Sequence, residues 1–169
     1  MKPSGIEFRA ANEADIDSIV GLSMESSAFH EVIDFRLAVR NDAAKHVHVF
    51  YSKLFKDENA RFFIASVNNI LIGYICVQIQ ERPPIHVERE SGFIDGAFVK
   101  TDYRRKGVGS TLFQMALDWL NRHDIQSIRL TVSPRNPAGL SFWRELGFTE
   151  LMVMMHRPTS TDVCAEFTD

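Results

Sequence analysis

Residues 94–110 constrain the fold of this chain more than any other stretch. An apolar run ends at Val99 and leads through a short polar bend into the basic turn Arg104-Arg105-Lys106-Gly107, after which a helical pattern begins at Val108. A strand that passes through a glycine turn into a helix places the unpaired N–H groups and the positive dipole end of that helix at the turn. The stretch therefore predicts a binding site for phosphate or pyrophosphate.

Hydrophobic periodicity predicts the remaining elements. Apolar residues that alternate with a period of two indicate strands, and apolar residues spaced by three and four indicate helices. Asn12 is placed to cap the first helix, Asn68-Asn69 fits a tight hairpin turn, and the segment 26–35 is interpreted as a loop or a short helix. The predicted strands cover 5–10, 61–67, 70–80, 92–99, 125–132 and 148–156, and the predicted helices start after Asn12 and at 42, 108 and 138.

These elements follow the order β-α-α-β-β-β-α-β-α-β, which restricts the topology. The strand–helix–strand unit across 92–132 requires a parallel pair with a right-handed crossover, whereas the first four strands are mostly joined by hairpins. The predicted fold class is α/β (α+β), with a mixed, mostly antiparallel central sheet and helices on both faces. We expect residues 1–157 to form one domain and residues 158–169 to form a polar C-terminal tail.

Composition argues against several functions. A net charge of −3 over 169 residues does not suggest a nucleic-acid binder, and the longest apolar run, 70–77, is too short to cross a membrane. Two cysteines without a close pair and no signal-peptide pattern lead us to expect a cytoplasmic location. No metal site is expected, since the chain has no CxxC or HExxH motif and His46 and His48 do not share a helical face.

Two segments resemble motifs of the GNAT superfamily of N-acetyltransferases. Residues 104–109 match the pattern Arg/Gln-x-x-Gly-x-Gly/Ala, and they lie between a predicted strand and a predicted helix, as the family requires. Residues 136–148 resemble the second segment of the family, which is an asparagine, a short helix with an aromatic residue, and then Gly-Phe. The resemblance covers about residues 6–156, with 24–58 poorly matched, and it implies a GNAT-like sheet whose parallel strands splay apart.

The resemblance implies acetyl-CoA as the cofactor. The backbone N–H groups of residues 105–110 would hold the pyrophosphate, and the main chain of Phe98 and Val99 would pair with the pantetheine arm and polarise the thioester carbonyl. Asn136 would hydrogen-bond the pantetheine near the splay. The expected cofactor-binding residues are Phe98, Val99, Arg104, Arg105, Lys106, Gly107, Val108, Gly109, Ser110 and Asn136.

The activity that the resemblance implies is transfer of the acetyl group to a primary amine by direct attack in a ternary complex. Because an ammonium cannot attack, a base is needed, and the candidates are Asp95 on the strand and Glu88, Glu90 or His86 in the loop before it. The acceptor would be a small-molecule or peptide amine, and acids in the segments 24–40 and 82–91 favour a cationic amine.

The chain departs from the family pattern at the acid. Many members have a tyrosine where Trp143 stands, and an indole N–H is too weak an acid to protonate the CoA thiolate. Ser141 is a candidate substitute. The alternative function is therefore an acyl-CoA-binding or sensing module without turnover, whereas a P-loop protein is disfavoured because the turn lacks Gly-Lys-Ser/Thr. The family fold commonly pairs, so a homodimer is one possible assembly.

Overall fold

The computed structural model describes residues 5–157 and Thr159, and it contains one five-stranded sheet in the order β1-β2-β3-β4-β5. Neighbouring strands are antiparallel except for β4 and β5, which are parallel. The predicted mixed, mostly antiparallel sheet is therefore confirmed. The strands are β1 Glu7–Ala10, β2 Ala60–Val67, β3 Ile70–Glu81, β4 Glu90–Val99 and β5 Ile128–Leu130, and the helices are α1 Ile16–Ile33, α2 Ala43–Leu54, α3 Val108–Asn121 and α4 Pro137–Glu145.

The sheet separates two hydrophobic cores, because successive side chains of a strand point to opposite faces. On β3, Ile75 and Val77 pack with α3, whereas Tyr74 and Cys76 pack with α1 and α2. α4 joins the first core through Trp143, whose ring contacts other aromatic rings of that core. Helices therefore cover both faces, as predicted, and the central strands are buried on both sides.

The first helical segment is fixed by a reciprocal cap. The side chain of Asn12 accepts the N–H of Ala14, and the carboxylate of Asp15 accepts the N–H of Asn12 at 2.8 Å. Arg9 donates two hydrogen bonds of 2.7 Å to the same carboxylate, so β1 is tied to the start of α1. Asn12 thus caps the 3-10 turn Glu13–Asp15, which leads directly into α1, at the position that the sequence predicts for a helix cap.

α1 continues to Ile33, through the segment that the sequence leaves as a loop or a short helix. Its later turns gain tertiary partners that periodicity does not show: Glu25 pairs with Lys100 at 3.1 Å, and Phe29 lies under the guanidinium of Arg104. Helices are held mainly by such packing rather than by intrinsic propensity. Asp34 then ends α1 by capping the short 3-10 helix Phe35–Leu37.

The prediction of a strand over 148–156 is wrong. Phe148 packs in the core, but the side chains of 151–155 are 72 to 89% exposed and residues 149–157 have no strand partner in the described part of the chain. An apolar run becomes a strand only where a neighbour completes the hydrogen-bond ladder. The neighbouring strand β5 spans only Ile128–Leu130, which is also shorter than the predicted 125–132.

The predicted polar tail, 158–169, lies outside the described residues apart from Thr159. None of the helices in the described ranges is long and apolar enough to cross a membrane.

β4 packs on α3 through a glycine. A Cβ atom at Gly92 would lie 2.6 Å from Cδ1 of Leu120, a side chain that is fully buried. This position therefore has no room for a larger residue, and the absence of a side chain sets the distance between the strand and the helix.

We expect Gly92→Ala to lower the free energy of unfolding by about 1–3 kcal/mol, because the added methyl group overpacks the contact with Leu120. Gly21→Ala is the matched control, since nothing lies within 4 Å of a Cβ at this position of α1. The control should raise stability by about 0.5–1 kcal/mol through better helix propensity. Urea unfolding followed by circular dichroism measures both changes, and equal effects would contradict the packing argument.

Candidate functional site

β4 carries a bulge at Asp95. On β3, Cys76 pairs with Gly96 and Val77 pairs with Ile94, so Asp95 has no partner across the ladder. A bulge bends the strand and re-aims its side chains, and such irregularities concentrate beside active sites. The structure therefore singles out Asp95 and Gly96 in the middle of the central sheet.

The edge of β4 toward β5 opens at the same point. β5 pairs only with the first half of β4, so residues 95–99 have β3 on one edge and, within the described residues, no strand on the other. The N–H of Lys100 donates to the carbonyl of Ile72 on β3 at 2.8 Å. Because an antiparallel ladder alternates, the main-chain groups of Val99 and Ala97 face the open edge. The main chain of Phe98, which we expected to pair with the pantetheine arm, faces β3 instead. This opening is the splay that the resemblance implies.

The glycine turn leaves a row of amides without partners. Arg105 and Gly107 both have left-handed backbone angles, with φ of 61° and 77°, and α3 begins at Val108. The first intrahelical bond runs from the N–H of Thr111 to the carbonyl of Gly107. The N–H groups of residues 105–110 have no acceptor among the described residues. Such an array fits an anion and supports a diphosphate site at this turn.

Arg104 holds the turn to the rest of the protein. Its Nε donates to the carbonyl of Val99 at 2.9 Å, and its guanidinium lies 4.7 Å from the ring centroid of Phe29 and 5.4 Å from that of Phe98. The side chain therefore links β4 and α1 through a hydrogen bond and two cation–π contacts. Arg105 and Lys106, which are exposed, remain as the cations directed to solvent at the turn.

The second glycine of the motif is constrained by packing. A Cβ at Gly109 would lie 3.0 Å from Cζ of Phe142, so the ring of α4 closes against the first turn of α3. The sequence analysis explained Gly109 only by cofactor binding, and it missed this contact with Phe142. Two helices that are distant in sequence meet here, and no local pattern indicates such a contact.

Asn136 caps the N-terminus of α4. Its Oδ1 accepts the N–H of Gly139 at 2.9 Å, and a Cβ at Gly139 would lie only 2.7 Å from Nδ2 of Asn136. Asn136 is buried, and the cap uses only its carbonyl oxygen. Its Nδ2 amide is therefore left as the donor that this residue offers to a ligand.

A buried carboxylate joins the segment after α1 to the loop that carries Asn136. Asp34 accepts two hydrogen bonds from the guanidinium of Arg36, and Arg135 lies 3.9 Å away. The hydrogen bonds from Arg36, helped by the charge of Arg135, lower the pKa of Asp34 to about 2. This cluster, which the sequence analysis did not predict, ties the segment after α1 to the loop before α4, and its arginines balance the negative charge of Asp34.

The three catalytic candidates are not brought together. Asp95 lies at the bulge, where burial raises the pKa of its carboxyl although part of the residue is exposed to solvent. Glu88 lies beyond the other end of β4, and the stretch from Glu90 to Asp95 alone spans about 17 Å. The hydroxyl of Ser141 is exposed on α4 and donates to Glu145 at 3.3 Å.

Glu88 is engaged in a local ion pair. Arg82 donates to its carboxylate at 2.9 Å, and the hydrogen bond from Ser127, followed by that from Arg82, lowers its pKa. A carboxylate with a lowered pKa is a weaker base. Of the loop candidates, His86 also contacts Arg82, at 3.4 Å, so both belong to the same local cluster.

The mixed sheet, the opening beside β4 and the amides of 105–110 that lack acceptors among the described residues fit the class of acetyl-CoA-dependent N-acetyltransferases. The model of the acetyltransferase (GNAT) family matches residues 26–148, and the chain belongs to this family. The family resemblance and the fold expected from the motifs are thus confirmed.

Relatives and solved structures agree with this membership. An N-alpha-acetyltransferase of Sulfurisphaera tokodaii is 26% identical over 161 residues, which cover 90% of this chain and 86% of the relative. A mutant BH1408 protein from Bacillus halodurans superimposes with a TM-score of 0.80 at 17% identity, covering 90% of this chain and 99% of that one. An aminoglycoside N-acetyltransferase in complex with CoA gives a TM-score of 0.71 at 18% identity, with 92% and 95% covered.

We expect Gly107→Glu to reduce CoA affinity at least a hundredfold, because a bulky anion would occupy the space in front of the free amides. Nothing lies within 4 Å of a Cβ at Gly107, so the variant should still fold despite the strain of a positive φ, about 1 kcal/mol. Isothermal titration calorimetry with CoA measures the effect.

Gly147→Glu is the matched control. Gly147 also has a positive φ, 91°, and open space around its Cβ position, but it lies at the far end of α4. Both variants carry the same strain and the same added charge, so equal CoA affinity in the two would contradict a diphosphate site at the turn.

Proposed function

We propose that this enzyme transfers an acetyl group from acetyl-CoA to a primary amine, with the α-amine of a peptide as the acceptor. The observation that carries the proposal is the coincidence of three features at one end of β4: the bulge at Asp95, the open edge of 95–99 and the free amides of 105–110. The curated relative that matches 90% of the chain is an N-alpha-acetyltransferase, which supports this choice of acceptor.

The residues at this end of β4 fit the donor. The amides of 105–110, with the exposed cations Arg105 and Lys106, would bind the diphosphate, and the main chain of Ala97 with the N–H of Val99 would bind the pantetheine arm. Asn136 would donate from Nδ2. When bound, acetyl-CoA supplies the acetyl group, and its thiol is the leaving group. Much of the rate then comes from holding amine and thioester together, as no protein nucleophile is required.

We assign Asp95 as the general base. It is placed at the bulge, it makes no ion pair within the described residues, and burial raises its pKa toward the range in which a carboxylate accepts protons more readily. A peptide α-amine has a pKa near 8, whereas that of a lysine amine is near 10. The α-amine therefore needs far less help to lose its proton, and a single carboxylate suffices.

Two of the acids that favour a cationic acceptor are themselves held in ion pairs. Asp34 is paired with Arg36 and Arg135, and Glu88 is paired with Arg82, so two of the acids behind that expectation are already neutralised. We therefore choose the acceptor by the pKa of the acceptor amine rather than by the overall charge of the acceptor.

A module that binds acyl-CoA without turnover is the second candidate. It is favoured by one observation: Trp143 packs in the core against Phe113 and Phe148, and Ser141 faces solvent, so neither is arranged to protonate a thiolate. Release of free thiol from acetyl-CoA in the presence of a peptide would exclude this function, whereas CoA binding without thiol release would establish it.

The acceptor is tested with a panel of free-amine peptides, the same peptides with a blocked N-terminus and an internal lysine, polyamines and an aminoglycoside. We expect acetylation of the free-amine peptides at the α-nitrogen, with at least tenfold lower kcat/KM for the blocked peptides. Mass spectrometry of the products locates the acetyl group. Preference for the blocked peptides or for the aminoglycoside would overturn the peptide α-amine as acceptor.

Asp95→Asn should lower kcat/KM by about 10²–10⁴ at pH 8 if Asp95 is the base. In the wild type the rate should fall as the pH drops and the carboxylate is protonated, and the raised pKa of Asp95 moves this fall to higher pH than for an ordinary aspartate. The variant should lack that step in its pH–rate profile. Glu88→Gln is the comparison, because it removes the other carboxylate candidate, and it should retain the step.

A further inference from the structure

A groove lies between α1, the turn that joins β2 to β3, and the residue that follows β4. Its volume is about 310 Å³, and its lining residues come from 18–25, 69–71 and Lys100. Sites for small molecules usually measure about 300–1,000 Å³, and at about 30 Å³ per water this groove holds about ten waters. It is separate from 95–99 and 105–110, the segments assigned to acetyl-CoA.

The groove combines apolar side chains with an ion pair. Leu22 is 2% exposed and Leu71 is half-buried, and both belong to the core that α1 and α2 form with the sheet. Nζ of Lys100 lies 3.1 Å from a carboxylate oxygen of Glu25, and these two side chains keep 35% and 48% of their surface exposed. A ligand in the groove would therefore meet apolar surface, one cation and one anion.

Gly21 contributes open space to the groove. It lies inside α1, where a glycine costs stability relative to alanine. Its φ is not positive, and nothing lies within 4 Å of the position that a Cβ would take, so neither backbone conformation nor packing requires a glycine here. Ser18 and Glu25 lie on the same face of the helix and also line the groove. The absent side chain therefore keeps the groove open.

Two neutral polar side chains complete the lining. The hydroxyl of Ser18 and the side-chain amide of Asn69 make no hydrogen bond within the described residues, so both are available to a ligand. Asn69 has a left-handed φ of 63° in the hairpin turn, and the N–H of Lys100 donates to the carbonyl of Ile72 at 2.8 Å. The backbone that carries these groups is thus held in place without a ligand.

We propose that this groove is a second binding site, for a small zwitterion with an apolar side chain, namely an aliphatic α-amino acid. The carboxylate of the ligand would bind Lys100, and its ammonium group would bind Glu25. The aliphatic side chain of the ligand would lie on Leu22 and Leu71, in the space beside Gly21. A free amino acid of this kind also matches the groove in size.

The ion pair explains why a zwitterion fits better than a ligand with a single charge. A simple amine would compete with Lys100 for the carboxylate of Glu25, and a simple carboxylate would compete with Glu25 for Lys100. An α-amino acid carries both charges on one carbon, so it can pair with both side chains while they keep their own contact. Binding here does not depend on the proposed function, because none of the groove residues is assigned to acetyl transfer.

The experiment is a titration of the nitrogen-15-labelled full chain with L-leucine, without acetyl-CoA, followed by two-dimensional NMR of the backbone amides. We expect saturable shifts of the amides of Gly21, Glu25 and Lys100. Isoamylamine and isocaproate keep the side chain of leucine but each lack one of its charges. Each should bind about tenfold more weakly than L-leucine, since a hydrogen bond between charged groups is lost.

Three variants test the placement of the ligand. In Gly21→Leu the new side chain would fill the groove, and we expect no saturable binding of L-leucine; the chain should stay folded, because leucine favours an exposed helical position. Glu25→Gln removes one charge of the ion pair and should weaken binding about tenfold. Glu31→Gln, the matched control, removes an exposed acid of the same helix outside the groove and should leave the affinity unchanged.

The absence of a saturable shift with L-leucine would overturn this groove as an amino-acid site, as would equal binding of isoamylamine or isocaproate, or unchanged affinity in Gly21→Leu. Shifts confined to 95–99 and 105–110 would place the amino acid at the acetyl-CoA site and would also overturn it. If Gly21→Leu does not fold, the comparison of Glu25→Gln with Glu31→Gln decides. Acetyl transfer to peptides is measured in a separate assay, so the proposed function stands or fails independently.

Discussion

The site depends on the point at which β4 loses its regular partners. At Asp95 the ladder with β3 slips by one residue, and from there on the strand has no parallel neighbour within the described residues. A continuous sheet would use both edges of β4 for its own hydrogen bonds, and no main-chain group would remain for a ligand. The interruption therefore costs the fold internal hydrogen bonds, and it leaves an open strand edge and a bulged Asp95 on the strand that precedes the amides of 105–110.

Glycines allow the surrounding elements to approach this point, and each is required by a different contact. Gly107 supplies a left-handed backbone angle before α3, whereas Gly109 admits the ring of Phe142. Gly96 leaves space for two tyrosine hydroxyls, and Gly92 lets β4 reach Leu120. Only the first of these reasons is conformational. The other three are matters of packing between elements that are far apart in the chain, and they explain why the strand, the turn and α4 meet as closely as they do.

Sequence reasoning was most successful where one segment carries its own signal. The turn of 104–109, the cap at Asn12 and the alternating strands depend on local backbone chemistry, and the structure has them in the predicted places. It failed at 148–156, where an apolar run lacks the neighbour that would make it a strand, and it left open 26–33, where contacts with Lys100 and Arg104 sustain the helix. In both cases the outcome depends on a partner from another part of the chain, which 148–156 lacks and 26–33 has.

The sequence by itself determined the family, the order of the elements up to α4 and the glycine turn before α3, because two motifs and their periodicities are written in consecutive residues. Only the tertiary structure distinguished the carboxylate candidates by their surroundings. Asp34 and Glu88 are held by arginines, whereas Asp95 is left without an ion pair in the described residues. The physical reason is that the state of a charge depends on what surrounds it in space, and a sequence pattern does not show which of the available partners a side chain meets.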